Sequence, residues 1–180
     1  MENTNDNGFL PTSYEAPKSS GNYIKLQKGE NKLRILSKPI IGWLDWKDKT
    51  PYRYRMNAKP SQSFDPTKKI KHFWSMVVWN YKDSSIGILE VTQSSIQGAI
   101  QTLSNDADWG TPLSYDIKII KNGDGMETEY AVNPLPHKAI TNEIKLAYEA
   151  KKINLEALYE GKDPFANEVK SFTNDSIDAF

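Results

Sequence analysis

The sequence predicts a mainly β protein: a five-stranded barrel with one helix between its third and fourth strands and short helices at its C-terminal end. Two observations carry this. Apolar and polar residues alternate in short runs bounded by turn residues, the period of half-buried strands. A single helical pattern interrupts those runs before residue 134. At 180 residues the chain suits one good core with a small helical annex.

Residues 1–22 are rich in Asn, Ser, Pro and Gly and lack periodicity, which predicts a loose N-terminal arm. The barrel domain is expected over 23–136. In its first strand Leu33 and Ile35 alternate with Lys32 and Arg34, and the strand continues past a bend at Pro39 through Trp43 and Trp46. Residues 47–71 read mostly as loop, with a short strand at Tyr52-Arg-Tyr-Arg-Met56. The clearest strand spans 71–81. It turns at Lys82-Asp-Ser-Ser85 and returns through Ile86-Gly-Ile-Leu-Glu-Val91, a β-hairpin.

A helix follows, with Ser94 and Gln97 spaced as a capping box and Ile96, Ile100 and Leu103 on one apolar face. A second hairpin turns at Asn122-Gly-Asp-Gly125. Two short helices are expected over 137–162, one near 142–151 and one opened by Asn154 and closed by Gly161. Residues 163–180 read as an acidic flexible tail ending in Phe180. A long bent strand, a strand pair, one helix and a second strand pair is the order of an OB-fold barrel.

Composition narrows the function classes. No window reaches the eighteen or so apolar residues of a membrane helix, and the N-terminus has no basic start or apolar stretch, so a cytoplasmic protein is expected. Cysteine is absent and His72 and His137 are the two histidines, which argues against a zinc site. No cofactor or metal is expected. No Ser/His/Asp or paired-carboxylate pattern stands out, so neither is an enzyme.

The net charge of zero hides an asymmetry. Residues 21–82 carry 14 Lys and Arg against 4 Asp and Glu, while the remaining segments are acidic. Such a block suggests a polyanion-binding surface. An OB barrel binds oligonucleotides on its second and third strands and adjoining loops, and here those positions fall inside the basic block. Lys and Arg neutralise phosphates, and aromatic rings stack on unpaired bases. Single-stranded DNA is the partner this mixture suits.

The expected contact residues are Trp43, Trp46, Tyr52, Tyr54 and Trp74 among the aromatics. Among the cations they are Lys32, Arg34, Arg53, Arg55 and Lys71, which strands would hold in place. Loop lysines are assigned a diffuse field. In strand 71–81, one of the two alternating sets is expected to be core and the other to face the ligand. Two rivals stand beside this reading. A structural or carbohydrate-binding β module would also use tryptophans, though without needing a basic block. A metal-dependent nucleic-acid-processing enzyme would draw on Asp83, Glu90, Asp106 and Asp108.

The chain resembles bacteriophage single-stranded DNA-binding proteins of the OB-fold kind over about 23–165. The likeness rests on Ser37-Lys-Pro-Ile-Ile-Gly-Trp43, His72-Phe-Trp-Ser-Met-Val-Val-Trp-Asn-Tyr81, Glu90-Val-Thr-Gln-Ser-Ser-Ile96, Glu127-Thr-Glu-Tyr130 and Asp163-Pro-Phe165. It implies coating of transient single strands in replication, recombination and repair. The ending with Asp175, Asp178 and Phe180 is similar to partner-recruiting tails, which implies polymerase, helicase or recombination proteins as partners. The zinc subdomain of some phage members is not carried over, because this chain has no cysteine.

Overall fold

Strand β1 (Gly29–Ile35) and strand β2 (Ile40–Lys47) are two halves of the predicted bent strand, and both pair antiparallel with one edge of β4 (Lys71–Asn80). The split falls at Pro39, which has no N–H to give a ladder. Across the gap the Leu36 N–H donates to the Val77 carbonyl at 2.8 Å, and the Ser37 hydroxyl accepts from the Val77 N–H at 2.9 Å. The edge of β4 is thereby satisfied throughout the bend.

The computed structural model describes residues 23–168. Besides these strands it contains β3 (Thr50–Arg55), β5 (Ser85–Val91), β6 (Tyr115–Asn122), β7 (Glu129–His137) and helices α1 (Ser94–Asn105) and α2 (Asn142–Lys151). A 3₁₀ turn covers Leu155–Glu160 and ends at Gly161, whose φ of 67° is the left-handed cap the sequence predicts. Among the described residues, no helix is long and apolar enough to cross a membrane. The expected arm over 1–22 and most of the expected tail lie outside the described residues.

The expected five-stranded barrel is corrected: the sheet has seven strands and is open, in the order β3-β2-β4-β1-β6-β7, with β5 on the other side of β4. Two local causes are visible. The bend divides one strand into two. The short strand expected at 52–56, left outside the five, is β3, and it joins β2 through a tight turn in which Asp48 and Lys49 both take positive φ (50° and 64°), the signature of a type I′ turn. The gap is between β5 and β7. Residues 24–27 lie in it beside Leu89, Gln93, Lys121 and Tyr130, and the Ile24 N–H donates to the Ile88 carbonyl at 2.8 Å.

Both faces of β4 carry core, which corrects the expectation that one face is free. Met76 and Val78 pack with Leu33, Leu89, Ile96, Ile100 and Ile117 inside the curved sheet. Val77 and Trp79 pack on the other side against Ile144 of α2, and Ile88 packs there against Leu158 and Phe165. Phe165, placed at the start of the tail by sequence, is buried in this layer. At the start of β4 Lys71 is exposed and His72 and Trp74 are only half-buried, whereas Phe73 between them is fully buried.

Helix α1 starts one residue earlier in its capping than expected. Gln93 is the N-cap and Ser94 the first helical residue, so the capping box does not form. Gln97 is buried instead, and its amide donates to the carbonyls of Val91 (2.9 Å) and His72 (3.2 Å). That pair of bonds pins the helix to the β4–β5 hairpin beside the aromatic residues described next.

Candidate nucleic-acid interface

Antiparallel pairing puts directly opposed residues on one face of a sheet. Trp43 lies opposite Tyr54 on β3 and opposite His72 on β4, so Tyr54, Trp43 and His72 form a row across three strands. The row spans about 10 Å at ordinary strand spacing. Trp74, Ile41, Asp45 and Tyr52 share its face by register. This face continues the inner surface of the curved sheet beyond the reach of α1, and it is therefore partly open to solvent. Trp43, Tyr54, His72 and Trp74 are half-buried, whereas Ile41 and Tyr52 are exposed.

Trp43, His72 and Trp74 are held by hydrogen bonds. The Trp43 indole N–H donates to the Met56 carbonyl at 3.1 Å. His72 Nδ1 is 2.8 Å from the Gly42 carbonyl, and its Nε2 is 3.2 Å from Trp74 Nε1. A carbonyl only accepts and an indole N–H only donates, so this pair of contacts assigns the neutral Nδ1–H tautomer to His72. Trp43 also contacts the His72 ring, centroid to centroid 5.2 Å, and the Lys59 ammonium lies 4.2 Å from the Trp43 ring centre. Burial of Tyr54, then the nearby charge of Asp45, raises the pKa of its hydroxyl and keeps it neutral.

Gly42, between Ile41 and Trp43, has a packing reason to be glycine. A Cβ there would lie 2.0 Å from the Tyr54 carbonyl oxygen, so only glycine permits this approach of β2 to β3.

A second group of aromatics sits at the hairpin tip. Trp46, Tyr52 and Phe64 are exposed, and Tyr52 packs on Phe64 at 5.0 Å. By register Trp46 points to the opposite face from Tyr52. Buried Asp45 fastens the loop to the hairpin, accepting from the Ser63 hydroxyl (2.7 Å) and from the N–H groups of Phe64 and Trp46 (2.9 Å each). Desolvation pushes the Asp45 pKa up, but these hydrogen bonds outweigh it and leave the carboxyl below its ordinary range.

The cations divide differently from the sequence expectation. Arg34 is buried: it pairs with Asp116 at 3.1 Å and donates to the carbonyls of Leu113 and Lys138. Lys32 lies 4.0 Å from the same carboxylate and 4.4 Å over the Tyr81 ring. Arg53 pairs at 2.6 Å with Glu90, which also accepts from Ser75. Arg55 pairs with Glu156 and covers Tyr159 on the opposite face, under the C-terminal turn. These four strand cations are therefore structural or partly neutralised. Of the expected set, Lys71 is exposed and without an ion pair among the described residues, at the strand end and opposite Leu44 on the other face from the row. Lys47 at the end of β2 and the loop lysines Lys38, Lys49, Lys59 and Lys69 are likewise exposed and unpaired among the described residues.

Sequence reasoning missed two things here. His72 organises both tryptophans, and the free positive charge belongs to loops and strand ends rather than strand centres. The carboxylates of the enzyme reading are dispersed into local roles: Glu90 binds Arg53, Asp83 accepts from the Asn80 amide and Asp106 caps the chain at 108–109. Among the described residues no group of three or more His, Asp or Glu is placed to hold a metal ion. The tail residues Asp175, Asp178 and Phe180 lie outside the described residues.

Comparison with protein-family models, with curated proteins and with solved structures finds no match to this chain.

Proposed function

We propose that this protein binds single-stranded DNA on the face bearing Tyr54, Trp43, His72 and Trp74, without catalysing a reaction on it. The observation that carries the reading is this row: half-open rings, three of them fixed by hydrogen bonds, beside exposed lysines that have no acidic partner among the described residues. A sheet bearing such rings accommodates two or three unpaired bases, and each stacked base contributes about 1–3 kcal/mol whatever its identity. Lys38, Lys59 and Lys71 add phosphate attraction that falls with salt.

The topology supports an opened OB-type reading. Counting β1 and β2 as one strand, the order β7-β6-β1-β4-β5 with α1 between β5 and β6 is that of a partly open barrel. Its second and third strands are then β4 and β5. Its first connecting loop contains β3 and the 56–70 segment, so the aromatic row falls where such barrels take oligonucleotides. The role that follows is coating of single strands during phage replication, recombination or repair. To the ending with Asp175, Asp178 and Phe180 we assign recruitment of polymerase, helicase or recombination proteins. Removing residues 171–180 should abolish their pull-down and leave DNA binding equal or tighter.

A gel shift with equal lengths of single-stranded DNA, duplex DNA and RNA tests the reading. The single strand of DNA should shift at the lowest protein concentration and the duplex last. Equal shifts of duplex and single strand would leave only a lysine field, and the stacking surface would have no role.

A further inference from the structure

At its Trp74 end the aromatic row opens into a groove of about 450 Å³ between the β1–β2 bend and the C-terminal half of α1. Its inner surface is aliphatic: Ile35, Met76 and Ile100 line it and are each buried. Trp74 and the exposed Ile41 belong both to the groove and to the face of the row. At the rim stand Gln101 and Asn105, four residues apart and so on one side of α1. Both are exposed, and among the described residues neither side-chain amide has a hydrogen-bond partner. Lys38, exposed and without an ion pair among the described residues, stands at the same rim.

We infer that this groove takes one nucleobase, turned out of the strand that lies on the aromatic row, and reads its edge with Gln101 and Asn105. The inference rests on the single-stranded DNA reading and adds a base preference to it. The chemistry matches a base part by part. The flat faces of a base are apolar enough for an aliphatic floor and an indole wall, while its edge carries donors and acceptors that amides meet in pairs. The phosphate leading into the groove would pass Lys38. The groove is within the size range of small-ligand sites. Stacking on the row tolerates every base, so any discrimination by this protein must come from a place like this one.

The test uses the full chain and a fluorescent oligo(dT) just long enough to bind. One position at a time is replaced by A, C, G or an abasic residue, and affinity is read by anisotropy. At one position the abasic residue should weaken binding, and the four bases should differ by about fivefold or more, the lower end of what one amide–base pairing discriminates. The double variant Gln101→Ala with Asn105→Ala changes two exposed side chains. It should flatten the base differences at that position while keeping the abasic effect and the salt dependence. Ser104→Trp, which fills the groove from its rim, should remove both.

Uniform affinity at every position, or discrimination that survives the double variant, would overturn the inference and leave the row as a plain stacking surface. Failure of the unsubstituted strand to bind at all would sink the single-strand reading itself.

Discussion

The Trp74 indole N–H donates to Nε2 of His72 across 3.2 Å, and His72 in turn donates from Nδ1 to the Gly42 carbonyl at 2.8 Å. A histidine two residues before a tryptophan on the same strand thus fixes that tryptophan and borders Trp43 on the next strand. Rings held in place before a ligand arrives lose less conformational freedom on binding than free ones. His72→Phe keeps a ring but loses both hydrogen bonds. It should weaken single-strand binding by about 1 kcal/mol, the value of one or two ordinary hydrogen bonds. Anisotropy checks the affinity, and the ¹⁵N shifts of His72 in the unmodified protein check the Nδ1–H tautomer.

The two classes of cation should separate cleanly. Lys38→Ala, Lys59→Ala and Lys71→Ala should each reduce the slope of log K against log salt by about 0.7 with little change in melting temperature. Arg34→Ala should instead cost about 3–5 kcal/mol of stability, because it strands the buried Asp116 carboxylate. Salt titrations and thermal melts on the same variants make the comparison.

Tyr81 gives a pH signature for the Asp116 network. Its hydroxyl donates to both carboxylate oxygens, at 2.9 and 3.0 Å, and burial, followed by this bond and the Asp116 charge, pushes its pKa up to about 12. A raised pKa means that the stabilisation is fully present below the ordinary tyrosine value of 10.0 and is lost as pH rises through about 12. Stability should therefore fall across that alkaline window, with less of a fall in Tyr81→Phe. Chemical denaturation at stepped pH, alongside tyrosinate absorbance, reads both.

Asp45 works at the other end of the scale. Its carboxyl sits below the ordinary value of 3.8, so its hold on the 63–64 segment is complete above that pH and is lost as pH falls through the lowered pKa. Asp45→Ala should release the loop at neutral pH. Limited chymotrypsin digestion should then cut after Phe64 faster than in the unaltered chain, and equal rates would refute the fastening role.

Much of the fold was legible because local pattern and local structure agree. Strand β4, the β4–β5 hairpin and the bounds of α2 follow from alternation, turn chemistry and helical spacing. The cap at Gly161 follows from the left-handed φ that glycine permits. What escaped was long-range. Arg34 and Asp116 are 82 residues apart, Arg53 and Glu90 are 37 apart, and Arg55 and Glu156 are 101 apart. No local spacing announces these pairs, and so the strand cations looked free when they were engaged. The burial of both faces of β4 had the same origin, since the second face is covered by α2 and the turn after it. The aromatic part of the site was readable in the strand alternation that puts His72 and Trp74 together. Apart from Lys71, named in advance at the start of its strand, the open lysines were visible only as loop composition.

The most direct test is tryptophan fluorescence during titration with oligo(dT) over a range of salt, for the unaltered protein and for Trp43→Ala with Trp74→Ala. Stacking should quench emission saturably, with a log–log salt slope of about −2 to −3 if three or four phosphates are neutralised. The double variant should lose most of the quenching and at least tenfold in affinity, about the value of one stacked base. Absence of quenching at low salt, or equal affinity in the double variant, would contradict the role given to this face.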